Sequence, residues 1–564
     1  MKDNQSTIFK PSYSRGELAF ESEVLAFVKT LTQTFSDAEK LLSSYSVKID
    51  DNVLKNRIKL ATFIRKFHSE ADTFHDSLTK QWILLTDPST KLIVSTHQPN
   101  LFAYGGIFKK IVLLETLKST IENSKEQGIV NLFVIIDHDF IDEIWMRRAQ
   151  LPSIHHSSGM LQLRFPVHPS KKWQMVCNIP RPPETILYNW RREIVSWIKK
   201  SSSSPSHREK MIDNLNRFWE LVEAAYSKAR SYSDFNSFLM SKIVNSTWGY
   251  STLFVRLSEI SQVLGNGFEF LTSNHRTYTD ILGRTEQVLL SRSINTGVSS
   301  AAYDRAPVWL HCTCGSKAPI SFFTERKSSF KGSCMSCKKE LTLDVDDPLN
   351  PDLSKAASYI SPRAIAIPLL LSRDLEISCY CSGKGGLGYL TDANMISKHL
   401  GIRWPLTLVW GSKDVYPGMA QNQALEAIHM ETQEAERRLQ ELQSRNNEYA
   451  RKIRSLVLKR TEIAKTNGPL SRTLEQLFQL KEEQRKIRRE IELVDKATRI
   501  LTLSPCILDY AVNFGIVETE KQWRLHLLGN GNLTSPVYFN EHCTSQDNIK
   551  SGFSNHSLYV QHKA

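Results

Sequence analysis

The sequence predicts an α/β protein built on a doubly wound sheet, with a cysteine-bearing insert and a long helical hairpin added to it. Three observations carry this expectation. Two β-like runs, residues 92–95 and 132–136, each end in a polar loop, and a helical pattern through Ile107, Ile111, Leu114 and Leu117 joins them; strand, loop, helix, strand is the βαβ unit of such a sheet. Two close cysteine pairs, Cys312 with Cys314 and Cys334 with Cys337, lie 19 residues apart. Between residues 420 and 503 apolar side chains recur in alternating steps of three and four.

At ~150 residues per domain, the 564 residues suggest roughly three to four domains and a substantial core. Hydrophobic residues at 41% and charged residues at 23% exclude a mostly disordered chain. No apolar run approaches the ~20 residues of a membrane span, and the polar start MKDNQSTIFKPSYS lacks the apolar stretch of a signal peptide. A soluble, cytoplasmic protein without a membrane partner is expected. Lys plus Arg number 72 against 59 Asp plus Glu, a formal +13 that invites anionic partners. The excess is spread out: residues 420–503 hold 17 basic and 13 acidic side chains. A solvated basic face is the simpler expectation, and nucleic acid is a less favoured partner. Nine cysteines, an odd number with tight pairs, read as metal binding in a reducing compartment.

Residues 1–90 form a leading helical segment, because Phe27, Leu31, Leu41, Leu42, Leu54, Ile58 and Phe63 recur loosely at helical spacing. Residues 91–306 carry the first part of the core, with the serine run before Pro205 as a surface loop. Residues 307–345 are a compact zinc-ribbon-like insert. Residues 346–419 return to α/β character, with a β-like run at 365–371 before CYCSGKGGLGYL. Residues 420–503 form an antiparallel coiled-coil hairpin. Its first arm runs 39 residues from Leu425 to Ile463, about 58 Å at ~1.5 Å per residue. The chain stops at Asn467-Gly468-Pro469, and the pattern resumes from Leu477 to Leu501. Asn446 and Arg460 interrupt the seam and can select register. Such an arm suits a homodimer contact. Residues 504–564 close the chain, and from Gly529 onward a loosely held polar tail is expected.

Doubly wound sheets bind ligands beyond the C-terminal ends of their strands, and both polar loops lie there. The first reads Ser95-Thr96-His97-Gln98-Pro99-Asn100, with Gly105 and Gly106 beyond. His97, Gln98 and Asn100 can reach phosphate or carboxylate oxygens, and the glycines let backbone N–H groups approach a ligand. The plainer reading is a turn held by Pro99 with His97 as a cap. The second loop reads Asp137-His138-Asp139-Phe140-Ile141-Asp142-Glu143. Four carboxylates in seven residues need an offsetting partner. Asp142 and Glu143 are expected to open a following helix, where negative charge is favoured. That leaves Asp137, His138 and Asp139 for proton handling, with His138 as general base. In the plainer alternative, Asp137 and Asp139 fix the loop around a buried histidine. His97 and His138 are expected to face one cleft, with Gly383, Lys384, Gly385 and Gly386 nearby. That glycine stretch can cradle phosphate, and a tight turn is its even competitor. Four thiolates suit tetrahedral Zn²⁺ in a closed structural site. Because the first pair is CxC, His311 is an alternative ligand to Cys312. Cys379 and Cys381 are expected to serve packing.

The stretches THQPNLF with Gly105 and Gly106, DHDF with Glu143, Ser361-Pro362-Arg363 with Pro368, and SGKGGLGY, followed by the hairpin, together resemble the BshC family. Its members are the cysteine-adding enzymes of bacillithiol synthesis. They show TGQQ-type, EDHDF-type, SP-type and GGxGE-type stretches in this order, and DHDF is the most specific match. Here THQPN stands for the first stretch, the last lacks its acidic residue, and the cysteine insert is not usual in the family. The resemblance implies a Rossmann-like core with helical insertions and ligation of cysteine to an amino-sugar conjugate, glucosaminyl-malate, with ATP. It also implies substrate or nucleotide contacts from Gln98, Asn100, Gly105, Gly106, Ser361, Arg363, Gly383, Lys384, Gly385 and Gly386. Two competing expectations remain: another adenylating or nucleotidyl-transferring enzyme, and a non-enzymatic RNA- or protein-binding factor that uses the insert and the hairpin.

Overall fold

The computed structural model describes residues 15–539, except 125–127, 143, 203, 295, 297–304, 325–327, 346, 348–351, 354, 355, 416, 417 and 431. Its centre is a five-stranded sheet of β1 (Lys91–His97), β2 (Ile129–Ile135), β3 (Leu253–Arg256), β4 (Ile377–Gly383) and β5 (Leu406–Trp410). All neighbours are parallel, in the order β5-β4-β1-β2-β3. Parallel strands buried on both faces read as continuous apolar runs, and β2, IVNLFVI, is buried at all seven positions. Alternate side chains then feed two cores. Ile93, Phe133, Ile135 and Phe254 face one core; Leu92, Val94, Leu132, Val134 and Val255 face the other.

Helix α1 (Asp51–Ala71) packs on the second face. Arg57 fastens it there by donating to the carbonyls of Leu375, Thr90 and Glu376, each at 3.0 Å. Helix α2 (Gly105–Ser124) connects β1 to β2. The chain returns from the far edge through α3 (Ala366–Leu375) to β4, and α4 (Leu387–Leu400) leads on to β5. Winding therefore reverses between β1 and β4, the position at which doubly wound sheets receive their ligands.

Several sequence expectations need correction. The apolar run 365–371 belongs mostly to helix α3, and the strand beside it starts only at Ile377. Asp142 lies in a turn, not before a helix: the chain passes directly into the hairpin Arg148–Pro152 with Met160–Arg164. The first arm of the long hairpin does not begin at Leu425. A separate helix, Met419–Ile428, ends where His429 adopts φ +51°, and only then does α5 (Thr432–Lys465) begin. Helix α6 (Ser471–Thr502) returns alongside it. Near its base the pair buries Ala435, Leu442, Ile487 and Val494, and Arg438 meets Glu490 at 2.6 Å. Nor is the chain after Gly529 loose throughout. Beyond α7 (Ile507–Phe514) and α8 (Ile516–Asn530), Leu533, Val537 and Phe539 are buried, because these apolar side chains complete the core around Tyr510 and Trp523. The rest of that tail, Cys543 included, lies outside the described residues.

Candidate functional site

The first half of the candidate site is the C-terminal ends of β1 and β4, where the winding reverses. His97 ends β1, half-buried, with Nδ1 3.1 Å from the carbonyl of Gln98 and its ring edge-on to Trp145 at 6.3 Å. Burial, and secondarily the Lys110 ammonium, holds its pKa down at about 3, so the ring is neutral. Lys110 lies on α2 with its Nζ 2.7 Å from the Thr96 carbonyl, and burial lowers its pKa to about 8. A weakly compensated ammonium at the end of β1 suits an anionic ligand. Sequence reasoning missed it, although adjacent Lys109 and Lys110 inside an apolar helical run were a signal that each needs a partner. Lys109 has one, the buried Asp414 at 2.6 Å. Asn100 is 1% exposed, and both its amide atoms lack a partner.

On the neighbouring strand, Gly383 ends β4 and Lys384, Gly385 and Gly386 form the short turn that opens α4. Lys384 and Gly385 are exposed, and no atom lies within 4 Å of a Cβ built on Gly383 or Gly385. That leaves the backbone open to a phosphate at a helix N-terminus. Gly105 differs. Its N–H donates to the Pro505 carbonyl at 3.1 Å, and a Cβ there would meet the Tyr510 ring at 2.7 Å, so it serves the approach of α2 to α7. Gly106 has open space around it.

The second half follows β2. Asp137 accepts from the Ser258 amide at 2.9 Å and its hydroxyl at 2.6 Å. Burial outweighs these bonds and pushes its carboxyl up to about 6. It lines a cavity of about 550 Å³ with Ser258, Arg256, Glu259, Asp234 and Cys177. His138 is 2% exposed, its Nε2 has no partner, and burial keeps it neutral. Asp139 joins the halves: its carboxylate accepts from Gln98 Nε2 at 2.7 Å and lies 3.7 Å from Lys317 Nζ. The two imidazoles themselves share no ring contact or hydrogen bond; His97 turns to Trp145 and His138 to His311, 6.0 Å away. Ser361 and Arg363 come from the strand Ile360–Pro362 and the residue after it. Ser361 Oγ and Arg363 Nη1 are buried without partners.

The four cysteines converge. Sγ of Cys312 lies 3.6 Å from that of Cys337, and Cys314 lies 3.5 Å from Cys334. All four sulfurs fall within 4.8 Å of one another and can hold one metal ion. His311 is not among them. Burial and the neighbouring thiols push Cys312 and Cys314 up, while for Cys334 the N–H groups of Cys337 and Ser336 outweigh burial and bring it down to about 7. Cys379 and Cys381 are buried in the sheet core, away from this group.

Among the described residues no helix is long and apolar enough to cross a membrane. Neither the protein-family models nor the curated proteins compared with this chain match it.

Proposed function

We propose that the protein is an enzyme of the BshC type, joining cysteine to an amine acceptor of the amino-sugar conjugate class in an ATP-driven ligation. The observation that carries this reading is the meeting of separate motif stretches at the C-terminal end of the sheet: Gln98 hydrogen-bonds Asp139, and His138 and Asp139 meet residues beside the Ile360–Pro362 strand. A Rossmann-like assignment of the core is supported by the winding reversal between β1 and β4. Gly383, Lys384, Gly385 and Gly386, with Lys110 opposite, would hold nucleotide phosphate. His138, neutral and with a free Nε2, would take the proton of the attacking amine, while Asp139 and Gln98 orient the loop. His97 and Asn100 would contact substrate.

The metal of the insert is proposed to be Zn²⁺ in a structural role. A tetrahedron with Zn–S bonds of about 2.3 Å separates its sulfurs by about 3.8 Å, close to the 3.5 and 3.6 Å here. Four thiolates leave no open coordination position. An RNA-binding reading gains little from the hairpin, whose 17 basic side chains are offset by 13 acidic ones, with Lys452–Glu448 and Arg499–Asp495 pairing at 2.6 Å each.

The test is ATP consumption by the purified protein with and without cysteine in the presence of glucosaminyl-malate. Cysteine-dependent consumption is expected. Consumption that ignores cysteine would point to another adenylating or nucleotidyl-transferring enzyme, and no consumption would defeat the ligase reading.

A further inference from the structure

The strands flanking the first cysteine pair do more than carry it. Val308–His311 pairs antiparallel with Lys317–Pro319 on one edge and with Ile360–Pro362 on the other. His311 is opposite Lys317, and Trp309 is opposite both Ser361 and Pro319. Facing partners share a face and alternate residues repeat it. His311, Lys317, Trp309 and Ser361 therefore share one face, while Leu310, Ala318 and Ile360 enter the core from the other.

The polar face abuts the loop after β2. The His311 ring lies 6.0 Å from that of His138. Lys317, only 2% exposed, places its ammonium 4.8 Å from the Phe140 ring and 4.7 Å from that of Trp309, and 3.7 Å from Asp139. The Arg363 guanidinium lies 5.3 Å from the Trp309 ring. Buried polar atoms are normally paired, yet His138 Nε2, His311 Nε2, Ser361 Oγ and Arg363 Nη1 are all buried and unpartnered. Of the two cations, Lys317 lies 3.7 Å from Asp139, which Gln98 already engages, and among the described residues Arg363 is at ion-pair distance from no carboxylate. The set is rich in donors and net positive. It disfavours a metal ion and favours an oxyanion.

We propose that the cysteine-bearing insert completes an oxyanion subsite: Lys317, Arg363, Ser361 and His311, facing His138, bind a carboxylate or phosphate group of a substrate. The insert is then part of the site and not an appendage. This inference does not depend on the ligase reading, because a simple anion can bind whether or not cysteine is ligated.

Isothermal titration of the full-length protein with L-malate and with inorganic pyrophosphate separates the two sources of oxyanion. Saturable binding of at least one is expected, with affinity about tenfold or more weaker in Lys317→Met and in Arg363→Met. Loss confined to malate assigns a carboxylate, and loss confined to pyrophosphate assigns a phosphate. Should either variant fail to melt cooperatively, Ser361→Ala replaces it, with a weakening of about threefold or more expected. No binding of either anion by the wild-type protein, or binding unchanged in the folded variants, overturns the proposal. Pyrophosphate binding that responds to Lys384→Met but not to Lys317→Met, together with no malate binding that responds to Lys317→Met or Arg363→Met, also overturns it, since the only anion bound would then sit on the glycine turn.

Discussion

His138 offers the sharpest separation between a functional and a packing role. Its ring is buried and neutral, and its Nε2 bonds to nothing in the protein. A histidine kept for stability would normally spend that nitrogen on a partner, as His68 does by accepting from the Phe254 amide at 2.9 Å. His138→Ala should therefore reduce turnover about 100-fold or more, a far larger effect than its loss of stability. A fall in melting temperature with turnover per folded molecule intact would return His138 to a structural role. Asp392 gives a second prediction. It faces Glu286 beneath α4, both are fully buried, and burial followed by the Glu286 charge pushes its carboxyl from an ordinary 3.8 up to about 9. The folded chain therefore keeps that proton while the unfolded chain releases it, so stability falls as pH rises from about 4 to about 9. Asp392→Asn removes the titration and can donate to Glu286. Its melting temperature should exceed that of wild type by about 2 °C or more at pH 8 and match it near pH 4, which thermal melts at the two pH values will check. At this scale the loop residues His97, Gln98 and the 137–139 cluster were legible, because polar residues crowd where β-like runs end. Lys317 was not, since nothing local says that a lysine three residues after Cys314 will cross to Asp139.

Among the elements, the run 365–371 shows where periodicity gives out. A short apolar stretch fits a buried strand or a buried helix equally well. Pro368 held the answer: it sits in the first turn of α3, where a missing N–H costs nothing, and it would have weakened a central strand. Cysteine spacing was far more informative, because metal geometry restricts which residues can converge. The turn it builds is also wired to the loop after β2. The Gly315 carbonyl accepts from the Met175 amide at 3.0 Å and from Asn178 Nδ2 at 3.2 Å, and the amides of Val176 and Cys177 donate to the carbonyls of Asp139 and Asp137 at 2.8 and 2.9 Å. Elemental analysis should find about one Zn²⁺ per chain. Cys334→Ser should lose the metal and loosen the insert, leaving the sheet and its two cores folded by circular dichroism. Four freely titrating native thiols with no bound metal would contradict this.

For the whole molecule, the strand order was the least legible feature. It is fixed by connections of more than a hundred residues, from β2 to β3 and from β3 to β4, and β3 is only four residues long. The hairpin was legible in its period but not in its start, because a left-handed turn at His429 interrupts a pattern that alternates unchanged through it. Its two helices are joined at the base, while further out a cavity of about 590 Å³ opens between them, lined by Tyr449, Leu456, Gln476 and Leu480. Leu458 and Phe478 are both 67% exposed. Apolar surface on a projecting arm suits a second copy of the chain. Deleting residues 432–502 should leave a folded monomer, whereas the intact protein should sediment as a dimer. A monomeric intact protein at high concentration would remove the dimer from this account.

The central claim is that the C-terminal ends of β1 and β4 receive the nucleotide and the loop after β2 receives the acceptor. A structure of the protein with a non-hydrolysable ATP analogue tests it most directly. The phosphates should rest against the backbone N–H groups of Gly385 and Gly386, with Lys110 opposite and His138 within reach of the bound substrates. Phosphates bound elsewhere, with the glycine turn and Lys110 untouched, would contradict the account.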